Sequence, residues 1–298
     1  MFPLHRPLHR VAARKSRFAL LASLAAAMLA TGCASNRVTY VHPEPAPAVA
    51  RTPDPQADMR VAESALAAGD TQLAVTLFEK QLQTEPNSLD AKLGLGDAIY
   101  QMGDLARAGV LYGQVAATAP DNARAMLGLG RVALRQRHLD EAEQEYRKLV
   151  AAQPDSPVAA EGLGTTLDLE GKHAEAQQVY RRALAQHPEE AGLRADLGLS
   201  MILAGDVRGG ANILLDIAGL PDAPPQAREN LALAYGLLGN DDAAKRILVT
   251  DMPAESANDN LRFYRALRAH LTVASHEEGA EEKQQAPAGS AGAKGVLR

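Results

Sequence analysis

The chain has no tryptophan, one cysteine and only 4% aromatic residues among its 298. A lone cysteine excludes an intramolecular disulfide, so an oxidising compartment offers this chain no covalent staple. Few aromatics beside abundant Ala and Leu leave little material for a large sheet and favour helices. The histidines past residue 32 are His42, His138, His173, His187, His270 and His276, and none forms H-E-x-x-H. His138 and His173 fall between helical stretches and read as solvated turn residues. No Ser sits in G-x-S-x-G. The sequence therefore points to no catalytic residue, no metal site, no cofactor and no small-molecule substrate. The formal net charge is -5, but the first 32 residues hold five cations and no acid. Without them 26 basic face 36 acidic residues, net -10. So acidic a chain argues against nucleic acid as a partner, because phosphate neutralisation needs basic clusters.

What the chain does have is a period. Pro86, Pro120, Pro154 and Pro188 stand 34 residues apart, as do Gly96, Gly130, Gly164 and Gly198. Gly69, Gly103, Gly171, Gly205 and Gly239 follow the same interval, with Arg137 in the one missing place. So do Ala74, Ala108, Ala142, Ala176 and Ala244, and the ring series Phe78, Tyr112, Tyr146 and Tyr180. Leu95, Leu129, Leu163, Leu197 and Leu231 complete the set. A fixed period of this length signals a stack of identical supersecondary units, an architecture suited to holding another molecule.

Each unit reads as two helices. In the fourth, Val158 to Leu169 is helix A and Ala174 to Gln186 is helix B, whose Ala176, Val179, Tyr180, Ala183 and Leu184 share one face. Gly171 permits the left-handed residue that ends helix A. Asp and Asn after the prolines, as in Pro120-Asp121-Asn122, suit helix caps. Gly164 lies inside helix A, where Gly costs about 1 kcal/mol relative to Ala. Close approach of helix B, with Tyr180 filling the space, is the simplest reason for it. The pattern Leu, Gly, aliphatic, Gly, Ala, Tyr, Pro resembles the tetratricopeptide (TPR) repeat. That resemblance implies an all-α, TPR-type α-solenoid, a right-handed superhelix of helix-turn-helix repeats. About six repeats and a capping helix near Asn258 to Leu271 are expected over residues 57–271. The tail 272–298 lacks apolar periodicity and reads as disordered.

The N-terminus reads as an address. Residues 1–17 are basic, Phe18 to Leu29 is an apolar run of 12, and Ala30-Thr31-Gly32-Cys33 follows. This is the layout of a secretory signal peptide over residues 1–32. Its apolar run is too short to span a bilayer core of about 30 Å. The chain's one cysteine directly after small residues resembles a bacterial lipobox, with cleavage between Gly32 and Cys33 and lipid on Cys33. Ala34 rather than Asp after the cysteine favours, by resemblance to sorting rules, a periplasm-facing place on the outer membrane. Residues 33–56, with Pro43, Pro45, Pro47, Pro53 and Pro55, form a Pro-rich tether reaching up to about 70 Å at roughly 3.1 Å per residue.

The run Gly128-Leu129-Gly130-Arg131-Val132-Ala133 fits the dinucleotide pattern G-x-G-x-x-A, but no strand precedes it. The same Gly-x-Gly recurs in phase at Gly94/Gly96 and Gly162/Gly164. In TPR stacks helix A lines the concave face. By that resemblance the groove holds Asp97, Tyr100, Gln101, Arg124, Arg131, Arg135, Glu161, Thr165 and Asp168. Arg can clamp a carboxylate bidentately, so an acidic partner peptide fits. The same Arg and Asp residues could equally pair with one another on a solvated face.

Arg228-Glu229-Asn230-Leu231-Ala232-Leu233-Ala234-Tyr235-Gly236-Leu237, then Gly239, Asp251-Met252-Pro253 and Asn258-Asp259-Asn260-Leu261-Arg262-Phe263-Tyr264, resembles the end of the TadD family. These are TPR lipoproteins of the tight-adherence (Flp pilus) secretion system. The resemblance implies a role in pilus assembly with protein partners, among them the outer-membrane secretin, and no substrate turnover. A type IV pilus pilotin-type TPR lipoprotein and a regulatory lipoprotein subunit for a peptidoglycan enzyme are the alternatives.

Overall fold

The computed structural model describes residues 55–285 apart from 222, with side chains over 56–271. The signal segment, Cys33 and the tether up to residue 54 lie outside the described residues, as do 286–298. Within them the chain forms thirteen helices and no strand. Six antiparallel pairs follow one another: α1 (Pro55–Ala67) with α2 (Thr71–Thr84), α3 (Leu89–Gln101) with α4 (Leu105–Thr118), and α5 (Ala123–Arg135) with α6 (Leu139–Ala152). Then come α7 (Pro157–Leu169) with α8 (His173–Gln186), α9 (Ala191–Leu203) with α10 (Val207–Ala218), and α11 (Pro225–Leu237) with α12 (Asp241–Asp251). The long helix α13 (Ala254–Gln285) packs on both α11 and α12.

The caps explain why the helices start where they do. Ser88, Asn122 and Ser156 cap helix A of successive units, each side chain accepting from the backbone N–H three residues on. Asp70, Asp104, Asp206 and Asn240 do the same for helix B. Between A and B the chain turns through a residue at positive φ. Gly69, Gly103, Gly171, Gly205 and Gly239 fill this place, and Arg137 fills it in the third unit with φ 64°. Around it paired backbone bonds, such as Asp104 N–H to Ile99 O and Gly103 N–H to Tyr100 O, satisfy the last carbonyls of helix A.

The core is built from the repeating places. Ala74, Ala108, Ala142, Ala176 and Ala244 are wholly buried, and Phe78, Tyr112, Tyr146 and Tyr180 are buried rings. A Cβ built on Gly164 would fall 2.3 Å from the Tyr180 ring, so the expected reason for a glycine inside helix A holds. The other glycine of each Gly-x-Gly has a separate partner. A Cβ on Gly128 would come 2.6 Å from Tyr112, the ring of the preceding unit. Each ring thus lies between the helix A of its own unit and the helix A of the next, and locks the two units together. The G-x-G-x-x-A run is helical throughout, inside α5. In the fifth unit a Cβ on Gly210 would meet the Gly198 carbonyl at 2.4 Å. There α9 and α10 approach more closely, and the smaller Leu214 stands where the ring was.

Two expectations differ from the structure. The helix at the C-terminal end begins at Ala254 and runs to Gln285, so residues 272–285 are helical rather than structureless. Ala, Glu, Lys and Gln dominate that stretch, and their intrinsic helix propensity extends α13 without an apolar face to show for it. His173 is not a solvated turn residue: it opens α8, its side chain is 24% exposed, and its Nδ1 lies 2.8 Å from Asp168. His138 is solvent-exposed, as its sequence setting suggests.

Candidate protein-binding groove

The odd-numbered helices α1 to α11 touch one another in succession, whereas no even-numbered helix contacts the next even-numbered one among the described residues. The A helices are therefore the tighter, inner layer, and their free face is the concave one. All nine residues expected on this face lie on three consecutive members of that layer: α3, α5 and α7.

On α3 and α5 the structure brings Asp97 and Arg124 together. The Arg124 guanidinium donates through Nε at 3.0 Å and Nη2 at 2.6 Å to one Asp97 oxygen. The other oxygen accepts the Tyr112 hydroxyl at 2.6 Å. Burial first, and then this bond to a carboxylate, push the Tyr112 phenol far above its usual range, so it stays a donor. Arg135 is held differently. Its guanidinium lies 4.9 Å from the centre of the Tyr100 ring and donates to the Tyr100 carbonyl at 3.3 Å. Gln101 and Arg131 are exposed. Arg131 has no hydrogen bond or ion pair among the described residues, although its charge bears on both Tyr112 and Tyr146. The alternative of mutual pairing on this face thus holds for Arg124 and fails for Arg131.

On α7 the pattern reverses in sign. Asp168 is the hub of a polar network: its Oδ1 faces His173 Nδ1 and accepts the wholly buried Ser200 hydroxyl at 2.7 Å. Its Oδ2 accepts the Tyr180 hydroxyl at 3.3 Å, and Thr165 lies beside that hydroxyl. Glu161 is exposed. Sequence reasoning missed Asp196 on α9. It stands 34 residues after Gly162, where a glycine would have faced Tyr180. Burial, then Glu161 and Asp168, push its carboxyl up to about 7. The signal that could have found it was an acid in a glycine place. The three tyrosine hydroxyls were missed as well, because the sequence shows the rings as core and not that their tips reach the groove.

The groove is thus basic around α5 and acidic from α7 to α9. It carries hydrogen-bonding groups without the geometry of a nucleophile: Ser200 Oγ donates to Asp168, not to His173 Nε2. Among the described residues no group of three His, Cys, Asp or Glu could hold a metal ion. No described helix is long and apolar enough to cross a membrane.

A tetratricopeptide repeat family model matches residues 65–110 and 100–163. No curated protein matches the sequence. Among solved structures, the chain is similar to a tetratricopeptide repeat protein from Parabacteroides merdae, at 12% identity over 72% of this chain and 86% of that one, TM-score 0.59. It is similar to pilF of Pseudomonas aeruginosa at 17% identity over 66% of this chain and 89% of that one, TM-score 0.57. MamA is 19% identical over 59% of this chain and 91% of that one, with TM-score 0.48. The repeat, the helix pairs and the likenesses to the Parabacteroides merdae protein and to pilF agree: the chain carries tetratricopeptide repeats and folds as an all-α, TPR-type solenoid.

Proposed function

We propose that this chain is a membrane-anchored TPR scaffold that holds protein partners during assembly of, or secretion by, an Flp (tight-adherence) pilus system, with the outer-membrane secretin among the candidate partners. The observation that carries the binding role is the concave face of α3, α5 and α7. It is pre-ordered by the Asp97–Arg124 pair and the Asp168 network, and still offers uncommitted charge at Arg131 and Glu161. The chain's task is holding rather than turnover. The C-terminal likeness to TadD, from Arg228 to Tyr264, supports the pilus assignment, and the sequence around Cys33 supports lipid anchoring at the outer membrane. The test is a pull-down of the full chain from crosslinked envelopes, with bound proteins identified by mass spectrometry. Pilus or secretin components are expected. Recovery of none of them, from cells that make the pilus, would remove the pilus assignment.

A further inference from the structure

The place of Asp97 recurs at Arg131 and Thr165. In the second unit Asp97 accepts the Tyr112 hydroxyl. In the fourth, the place holds Thr165, and the Tyr180 hydroxyl is accepted by Asp168 three residues on. In the third, the place facing Tyr146 is Arg131, a side chain with donors only. Tyr146 is 2% exposed, and no described group accepts from its hydroxyl. The hydroxyl tip of Tyr146 is reached from the groove and Arg131 is exposed, so a ligand can meet both donors. Burial holds the Tyr146 phenol up to about 12, so it remains a donor at any physiological pH.

The surroundings supply no acceptor. Arg124, on the same helix, is committed to Asp97, and Arg135 is committed to Tyr100. Glu161 on α7 bears electrostatically on Tyr146, but makes no ion pair with Arg131. The groove at α5 therefore presents two uncommitted donors, the Arg131 guanidinium and the Tyr146 hydroxyl.

We propose that Arg131 and Tyr146 together seat the carboxylate of one aspartate or glutamate side chain on an extended segment of the protein partner. The inference rests on the concave face being the partner surface. The seat lies in the third of six units, so a segment running through it continues in both directions, which suits a side chain better than a chain terminus. On the α9 side follow Glu161, Asp168 and Asp196, which repel a run of acids. The fitting segment carries an isolated acid followed by neutral or basic residues.

The test uses the full chain and short fluorescein-labelled peptides of serine and alanine, read by fluorescence anisotropy. One peptide has a single glutamate with a lysine a few residues on. A second has glutamine in place of the glutamate, and a third has a run of glutamates. The first is expected to bind about tenfold more tightly than the second, as suits a charge-assisted bond. It should also out-compete the third. Arg131→Asp, which restores the acceptor seen at Asp97, should abolish that preference and raise the melting temperature. Tyr146→Phe should weaken the first peptide severalfold and leave the fold intact. Equal binding of the glutamate and glutamine peptides, no measurable binding of either, or an unchanged glutamate preference in Arg131→Asp would overturn the seat. The envelope pull-down separates the two readings. Partners retained by wild type and by Arg131→Asp alike leave the scaffold standing without the seat, and no partner on wild type removes the scaffold.

Discussion

A Cβ placed on Gly162 would lie 2.1 Å from the ring of Tyr146, one unit earlier in the stack. Gly130, in the same unit as that ring, sits against its other side at 3.0 Å. The ring therefore sets the spacing between successive units, and the two glycines are the room it needs. Gly162→Ala should destabilise the fold by up to about 2 kcal/mol, because overpacking costs about 1–3 kcal/mol and the helix-propensity gain offsets about 1. Gly113→Ala in α4 is the control. Nothing lies within 4 Å of its Cβ direction, so the propensity gain should appear as up to about 1 kcal/mol of added stability. Chemical denaturation of both variants reads the difference, and a stabilised Gly162→Ala would show that the rings do not set the spacing.

Arg137 is the one non-glycine residue at positive φ among the described residues. A left-handed conformation costs an ordinary residue about 1–2 kcal/mol, part of which glycine gives back as greater freedom in the unfolded chain. Arg137→Gly should raise stability by about 0.5–1 kcal/mol and shift the melting temperature upward. A lower melting temperature would show that the arginine side chain contributes more than its backbone costs.

Asp196 makes stability fall as pH rises. Its folded carboxyl sits at about 7, above the ordinary 3.8, so its contribution is intact below about pH 4 and is lost as pH climbs through about 7. Between about pH 5 and about pH 8 the loss should be roughly 2–3 kcal/mol. Asp196→Asn removes the titration. Its denaturation midpoint should vary less over that range than that of wild type, and equal pH dependence in the two proteins would exclude Asp196 as the source.

Anchoring is tested at Cys33. Cys33→Ala should move the protein from membrane fractions to the soluble periplasm, because the chain would lose its lipid hold. Unchanged membrane residence would contradict the lipid anchor.

Much of this molecule was legible from the 34-residue period, because each repeating place has a strict steric demand. Only a small residue fits beside Tyr180, and only a glycine turns freely at residue 171. The groove was legible less completely. Asp97, Arg124 and Arg131 were placed on one face by register, but which cation would find a partner depends on how the rings approach from helix B. That approach is a tertiary fact. The tyrosine hydroxyls show it plainly: as sequence they are core rings, and as structure they are hydrogen-bond donors in the groove. His173 illustrates the same limit, since its environment comes from Asp168 on the preceding helix. The extension of α13 past Leu271 was missed for the opposite reason. Ala, Glu, Lys and Gln favour helix there, and a search for apolar periodicity does not register intrinsic propensity.

The central claim is that the face of α3, α5 and α7 holds the partner. A photo-crosslinking amino acid at Gln101, exposed on α3, probes that face in living cells. The same probe at Gln144, exposed on α6, reports on the opposite one. Adducts to the partner from Gln101 and not from Gln144 are predicted. Adducts from Gln144 alone would contradict the account.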